Sequence, residues 1–139
     1  MNAKKTYKMM RNKFLKLFLI AFSFTTIFSC SHRLTGEWQV KRFESARPGE
    51  PGTSLSNIGT INFSNNGTGE KNINYLVLGI RREDKTPFKW IWADDKYVTI
   101  ESEGSDFSKT WIIIENRKKS QKWKSTDGNN LVQTLELIK

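Results

Sequence analysis

Reactive side chains are few in this chain and poorly arranged for catalysis. The 139 residues include one cysteine, Cys30, and one histidine, His32. Proton transfer and covalent catalysis near neutral pH draw chiefly on imidazole, thiolate and carboxylate groups held within hydrogen-bond reach of one another. No second thiol or imidazole exists to complete a nucleophile–base pair or a metal set. The acids occur as neighbours, Glu83-Asp84 and Asp94-Asp95, in turn-like contexts where adjacent side chains point apart, which argues against shared acid–base work or Ca²⁺ coordination. Serines and threonines are plentiful but have no partner that would activate them. The chain therefore reads as a non-enzyme with no metal site and no resident cofactor.

What precedes Cys30 gives its thiol a different chemistry. Lys4, Lys5, Lys8, Arg11, Lys13 and Lys16 form a cationic leader, and residues 17–28 form an uncharged apolar segment. That segment is too short to cross a bilayer of ~30 Å as a helix and reads as an export signal. Met9 or Met10 would begin a signal of more conventional length. The run Ile27-Phe28-Ser29-Cys30 resembles the lipobox of bacterial lipoproteins, although Phe28 is bulkier than its usual occupant. The resemblance implies that residues 1–29 are a lipoprotein signal peptide removed by signal peptidase II. Cys30 would then be the new N-terminus, bearing a diacylglycerol and an N-acyl chain that anchor the protein to the outer membrane of the cell envelope. Ser31-His32-Arg33 lacks the acidic residues that send some lipoproteins to the cell surface, which points to the periplasmic face.

Removing the leader changes the electrostatics. The full chain carries a formal charge of +9, but six of its 23 Lys and Arg leave with the leader while all 14 Asp and Glu stay. Seventeen basic side chains against 14 acidic ones leave +3, too little to support a nucleic-acid reading from charge. Residues 30–139 are one domain by length. With Cys30 acylated there is no disulfide, so stability must come from packing.

The domain shows short alternating runs divided by Gly, Asn, Asp, Ser and Pro clusters, an all-β pattern. Eight strands are expected, over 37–43, 59–64, 70–78, 87–93, 97–102, 108–115, 120–125 and 131–138. Asn65-Asn66-Gly67, Asp94-Asp95-Lys96 and Asp127-Gly128-Asn129 supply hairpin turns. Eight antiparallel strands in chain order bury their raw edges most simply by closing into an up-and-down β-barrel, with a two-sheet sandwich as the alternative.

The opening Leu34-Thr35-Gly36-Glu37-Trp38 resembles the Gly-x-Trp start of lipocalin-like domains, especially short ones on bacterial envelope lipoproteins. The strand Gly59-Thr60-Ile61-Asn62-Phe63, the aromatic Trp90-Ile91-Trp92 and the closing Leu135-Glu136-Leu137 extend the resemblance over nearly all of residues 30–139. It implies a barrel whose narrow end is closed by Gly36 and Trp38. Larger lipocalins set an arginine near the chain end against that tryptophan; here the last strand offers only Lys139.

In a meander, successive turns alternate between the two barrel ends. Three residues separate Cys30 from Leu34, a reach of roughly 10–14 Å, so the Trp38 end should lie close to the membrane with Arg117, Lys118 and Lys119 toward the headgroups. The opposite end collects 44–57, 79–85, 103–107 and 126–130. The first of these, with Pro48, Gly49, Pro51 and Gly52, corresponds to the lid loop of lipocalin-like proteins. Arg81 and Arg82 neighbour this mouth and can meet an anionic group, or pair locally with Glu83 and Asp84.

Alternation aims Phe88, Trp90 and Trp92 inward, with Trp38, Phe63, Tyr75, Trp111 and Trp123. Two functional readings follow. In one, a small apolar or lipid-like ligand sits at the membrane-distal mouth against Tyr75, Phe88, Trp90, Trp92 and Trp123, with Arg81 and Arg82 at the rim. In the other, the rings fill the barrel and its surface docks another protein, such as an envelope complex or a foreign hydrolase being inhibited. The apolar run Trp111-Ile112-Ile113-Ile114 points to an outer wall covered by a loop or partner. A cavity under the long loop favours the first reading, and a filled interior with exposed apolar surface favours the second.

Overall fold

The computed structural model describes residues 33–139; Cys30 and the leader lie outside the described residues. Among the described residues ten antiparallel strands follow one another: β1 Gly36–Ala46, β2 Thr53–Ser56, β3 Gly59–Phe63, β4 Thr68–Val77, β5 Ile80–Asp84, β6 Phe88–Ala93, β7 Tyr97–Glu101, β8 Lys109–Arg117, β9 Ser120–Thr126 and β10 Val132–Ile138. Neighbours pair in the order β1-β3-β4-β6-β7-β8-β9-β10, and β10 pairs back onto β1. An eight-stranded barrel results, with β2 and β5 as additions.

Both additions replace expected loops. Residues 44–57 are not a free lid, because β2 pairs with the upper half of β1 and only residues 47–52 join the two. β2 and β3 lie end to end along one edge of β1, separated by a bulge at Asn57 and Ile58. There Asn57 has φ 54° and Gly59 φ 139°, and a side chain on Gly59 would strike the Asn72 carbonyl. Residues 79–85 likewise form β5, which returns along β4 through the two-residue turn Leu78-Gly79. Both turn residues have positive φ, 50° and 79°, the geometry that matches strand twist in tight hairpins. β5 and β6 keep one register along β4, interrupted at Lys85-Thr86-Pro87, where proline removes a ladder donor. Only Thr68 and Gly69 pair with β6, and Gly69 has no side chain because the Phe88 ring occupies that space.

Alternation builds the core. Trp38, Phe63, Phe88, Trp90, Trp111 and Trp123 are buried along with Ile61, Ile73, Val98, Ile100, Leu135 and Leu137. The Phe63 ring lies 5.2 Å from Phe88, 5.5 Å from Trp90 and 5.9 Å from Trp123, in edge-to-face arrangements that suit aromatic quadrupoles. Trp123 continues to Trp111 at 6.5 Å, so rings cross the interior from wall to wall. At the narrow end the Trp38 indole N–H donates to the Leu34 carbonyl at 2.6 Å. Lys139 extends over the Trp38 ring, 4.6 Å from its centroid, and donates to the Thr35 carbonyl at 2.8 Å. The last lysine thus places a cation on that indole and ties the chain end to the barrel's start.

Candidate functional site

The opposite end of the barrel is open, and its geometry starts from two bends. β1 carries an extra residue, Lys41, relative to β10, and Asn57 sits across from it in the bulge of the β2–β3 line. The Asn57 N–H donates to the Lys41 carbonyl at 3.1 Å. Paired bulges at one level tilt the β1–β2 hairpin as a unit. On the other side β4 and β5 rise together as a second hairpin. Between the hairpins lies a recess of about 260 Å³, lined by Phe43, Leu55, Val77 and Leu131 with Ser45, Thr53, Tyr75, Asp106 and Gln133.

The polar lining is largely satisfied from within. The Tyr75 hydroxyl donates to Asp106 at 3.0 Å. Burial, together with the nearby Asp106 carboxylate, pushes its pKa up to about 12, so it is a neutral donor at physiological pH. Gln133 donates to the Ser45 hydroxyl at 3.3 Å and accepts from Lys109. Burial draws the Lys109 ammonium below its ordinary pKa, opposed by Asp106 and Asp127. Arg82 stands across the strand pair from Tyr75, on the same face, and no ion pair among the described residues engages it.

The expected ligand residues divide by place. Tyr75 and Arg82 are at the mouth. Arg81 is on the outer face, held by Glu83 at 3.2 Å and by Asn74 at 3.2 Å, the local pairing that its acidic neighbours suggested. Phe88, Trp90 and Trp123 are in the ring-filled core, and the Trp90 indole donates to the Ser64 and Thr68 carbonyls. Trp92 is near the β6–β7 turn, toward the Trp38 end, with its indole N–H on Asp95 at 2.8 Å. The seven candidates therefore do not converge on one site. Exposed apolar side chains lie elsewhere: Ile91, Tyr97, Ile112 and Ile114 on the outer wall, and Leu76, Leu78 and Ile80 at the β4–β5 tip, where Leu78 is 98% exposed. No loop among the described residues covers that wall.

One buried cluster escaped the sequence reading. The Lys71 ammonium donates to Ser102 at 2.7 Å and Ser105 at 3.0 Å and pairs with Asp84 at 3.2 Å. Ser105 also donates to Asp84, at 2.5 Å. Burial lowers the Lys71 pKa, opposed by Asp84. The signal was present in the alternation, since counting back in twos from inward Tyr75 reaches Ile73 and then Lys71. The cluster ties β4 and β5 to the β7–β8 connection just below the recess, so it braces the mouth. Among the described residues, no three His, Cys, Asp or Glu side chains form a group that could hold a metal ion.

Fold and site together define a closed antiparallel β-barrel with an aromatic interior and one flared end. Comparison with protein-family models, with curated proteins and with solved structures finds no match.

Proposed function

We propose that this protein is a non-catalytic, lipid-anchored barrel of the bacterial envelope that works through its surface, as a module binding another protein. The observation that carries the reading is the filled interior. Rings 5.2–6.5 Å apart occupy the space in which a lipid-like ligand would lie. The recess at the mouth, about 260 Å³, falls below the ~300–1,000 Å³ of small-molecule pockets. A larger cleft of about 720 Å³ beside Phe88 lies among the exposed Glu70, Lys89, Glu101 and Glu103 side chains and not within the ring-filled interior. Exposed apolar side chains at the hairpin tip and on the outer wall supply surface for contact instead. The lipocalin-like resemblance bears on this reading as a scaffold; anchoring at Cys30 would hold that scaffold on the periplasmic face of the outer membrane.

The recess and the unpaired Arg82 favour one second reading, a small amphipathic anion held at the mouth. Native mass spectrometry of the unlipidated Cys30→Ser protein, purified from the envelope fraction, separates the two. The interaction reading expects the mass of the bare chain. A stoichiometric apolar or anionic molecule that is lost when Leu55→Trp fills the recess would overturn it. Incorporation of labelled fatty acid into wild type but not Cys30→Ser tests the anchor.

A further inference from the structure

At its open end the barrel is split along one line. Among the described residues β2 pairs with β1 on one edge and with no strand on the other, and β4 beyond Asn74 pairs only with β5. The Asn74 N–H reaches the Ile58 carbonyl at 2.7 Å, the last backbone link between the two walls. Backbone groups alternate sides along a strand, so Leu76, two residues on, directs its N–H and C=O along that same edge, where no described strand lies. Inward side chains of the two free edges, Thr53 and Leu55 on one and Tyr75 and Val77 on the other, line the recess.

The free edges differ in their chemistry. The outer edge of β5 carries Arg81, Arg82, Glu83 and Asp84, charges of the kind that keep exposed strands from pairing. The edges flanking the split, Thr53-Ser54-Leu55-Ser56 and Asn74-Tyr75-Leu76-Val77, contain no charge and no proline. One edge is protected and the other two are open.

We propose that the split takes an extended segment of another protein, which adds as a strand to the free edge of β4 and seats an apolar side chain in the recess. An acidic side chain on the incoming strand has a cation waiting in Arg82, opposite Tyr75. The segment's backbone supplies the partners that Leu76 does not find among the described residues, and strand addition of this kind draws affinity from main-chain bonds and specificity from alternate side chains. This inference rests on the interaction-module reading and names its docking site.

The test uses the full-length protein in detergent micelles and a random-sequence peptide library as probe. Enriched peptides should carry alternating apolar residues and protect the amides of residues 53–56 and 74–77 from hydrogen exchange. Methylating backbone nitrogens one at a time should weaken binding roughly tenfold at alternate positions, the loss of one hydrogen bond each. Leu55→Trp should abolish binding by filling the recess. Leu76→Pro, which removes an unpaired edge donor and leaves the recess intact, should weaken it and guards against a folding defect in the first variant. Absence of enrichment, or binding indifferent to every N-methylation, overturns the inference. If peptides instead protect the Ile112 wall and are lost with Ile112→Asp, the interaction reading stands and the split is not its site. If no peptide binds and an envelope-derived small molecule is bound, both readings fall.

Discussion

Removing the buried Lys71 charge gives the sharpest measure of what holds the open end. Its side chain is fully buried and that of Asp84 is 15% exposed, so the pair lies beyond the regime of surface salt bridges. Lys71→Met leaves the Asp84 carboxylate with the Ser105 hydroxyl and the Thr86 N–H but no counter-charge. Breaking one half of such a pair costs ~3–5 kcal/mol, a large share of the ~5–15 kcal/mol that stabilises a domain. Lys71→Met with Asp84→Leu removes both charges, while Ser102 keeps its bond to the Pro87 carbonyl and Ser105 accepts from the Phe107 N–H. The double variant should therefore recover at least ~2 kcal/mol relative to the sum of the singles. Asp84→Asn should behave asymmetrically. Burial already holds the Lys71 pKa below its ordinary 10.5, so without Asp84 the folded state binds fewer protons than the unfolded chain in the window up to 10.5. Stability then rises with pH across that window, and the deficit of Asp84→Asn shrinks toward its upper limit. Urea unfolding of the Cys30→Ser background at several pH values reads all of this. A Lys71→Met cost under ~1 kcal/mol, or additive singles, would refute the claim that the pair braces the mouth.

Leu78→Asn should stabilise the fold by about 1 kcal/mol, because Leu78 has φ 50° in a turn that favours Asn, and thermal unfolding checks it. Lys139→Met should cost about 1–2 kcal/mol from the lost contact over Trp38 and the lost bond to Thr35, read by urea unfolding. Tyr75, pushed up to about 12 in the folded state, holds its proton where the unfolded chain has lost it, so its contribution is complete below about 10 and disappears between about 10 and 12. Spectroscopic titration should show that late tyrosinate signal vanish in Tyr75→Phe.

Much of the barrel was legible in the sequence. All eight expected strands correspond to β1, β3, β4, β6, β7, β8, β9 and β10, because two-residue alternation bounded by turn residues is a local signal. The additions were not legible for a physical reason. β5 reads Ile-Arg-Arg-Glu-Asp and β2 reads Thr-Ser-Leu-Ser, segments without strong apolar alternation that pair because a tight turn returns them along an existing strand. The fill was read correctly as inward for Trp90 and Trp123, but inwardness does not say how near the mouth a side chain lies. Strand direction places Trp92 toward the Trp38 end, and alternation along β5 puts Arg81 and Arg82 on opposite faces. Lys71 is inward by the same parity, but nothing local marks a lysine between Glu70 and Asn72 as buried, because its partners Asp84, Ser102 and Ser105 are distant in sequence.

The two ends of the barrel obey opposite logic. At the Trp38 end every feature closes the structure: an indole buried with its N–H satisfied, a lysine laid over it, and strands paired on both sides. At the other end the ladders are interrupted at the positions where they would otherwise close. Had β2 continued β3 without the extra residue at Asn57 and Ile58, its next pairings would have fallen on Leu76 and Val77, sealing the split with bonds already half-formed at Asn74. The bulge turns β2 onto β1 instead, and the opposed Lys41 bulge turns β1 with it. The opening thus comes from paired irregularities that leave strand donors and acceptors without a partner among the described residues, beside an apolar recess, while Lys71 and Asp84 hold the floor beneath. Closure at one end and deliberate incompletion at the other are what a scaffold needs if its task is to lend an edge to something else.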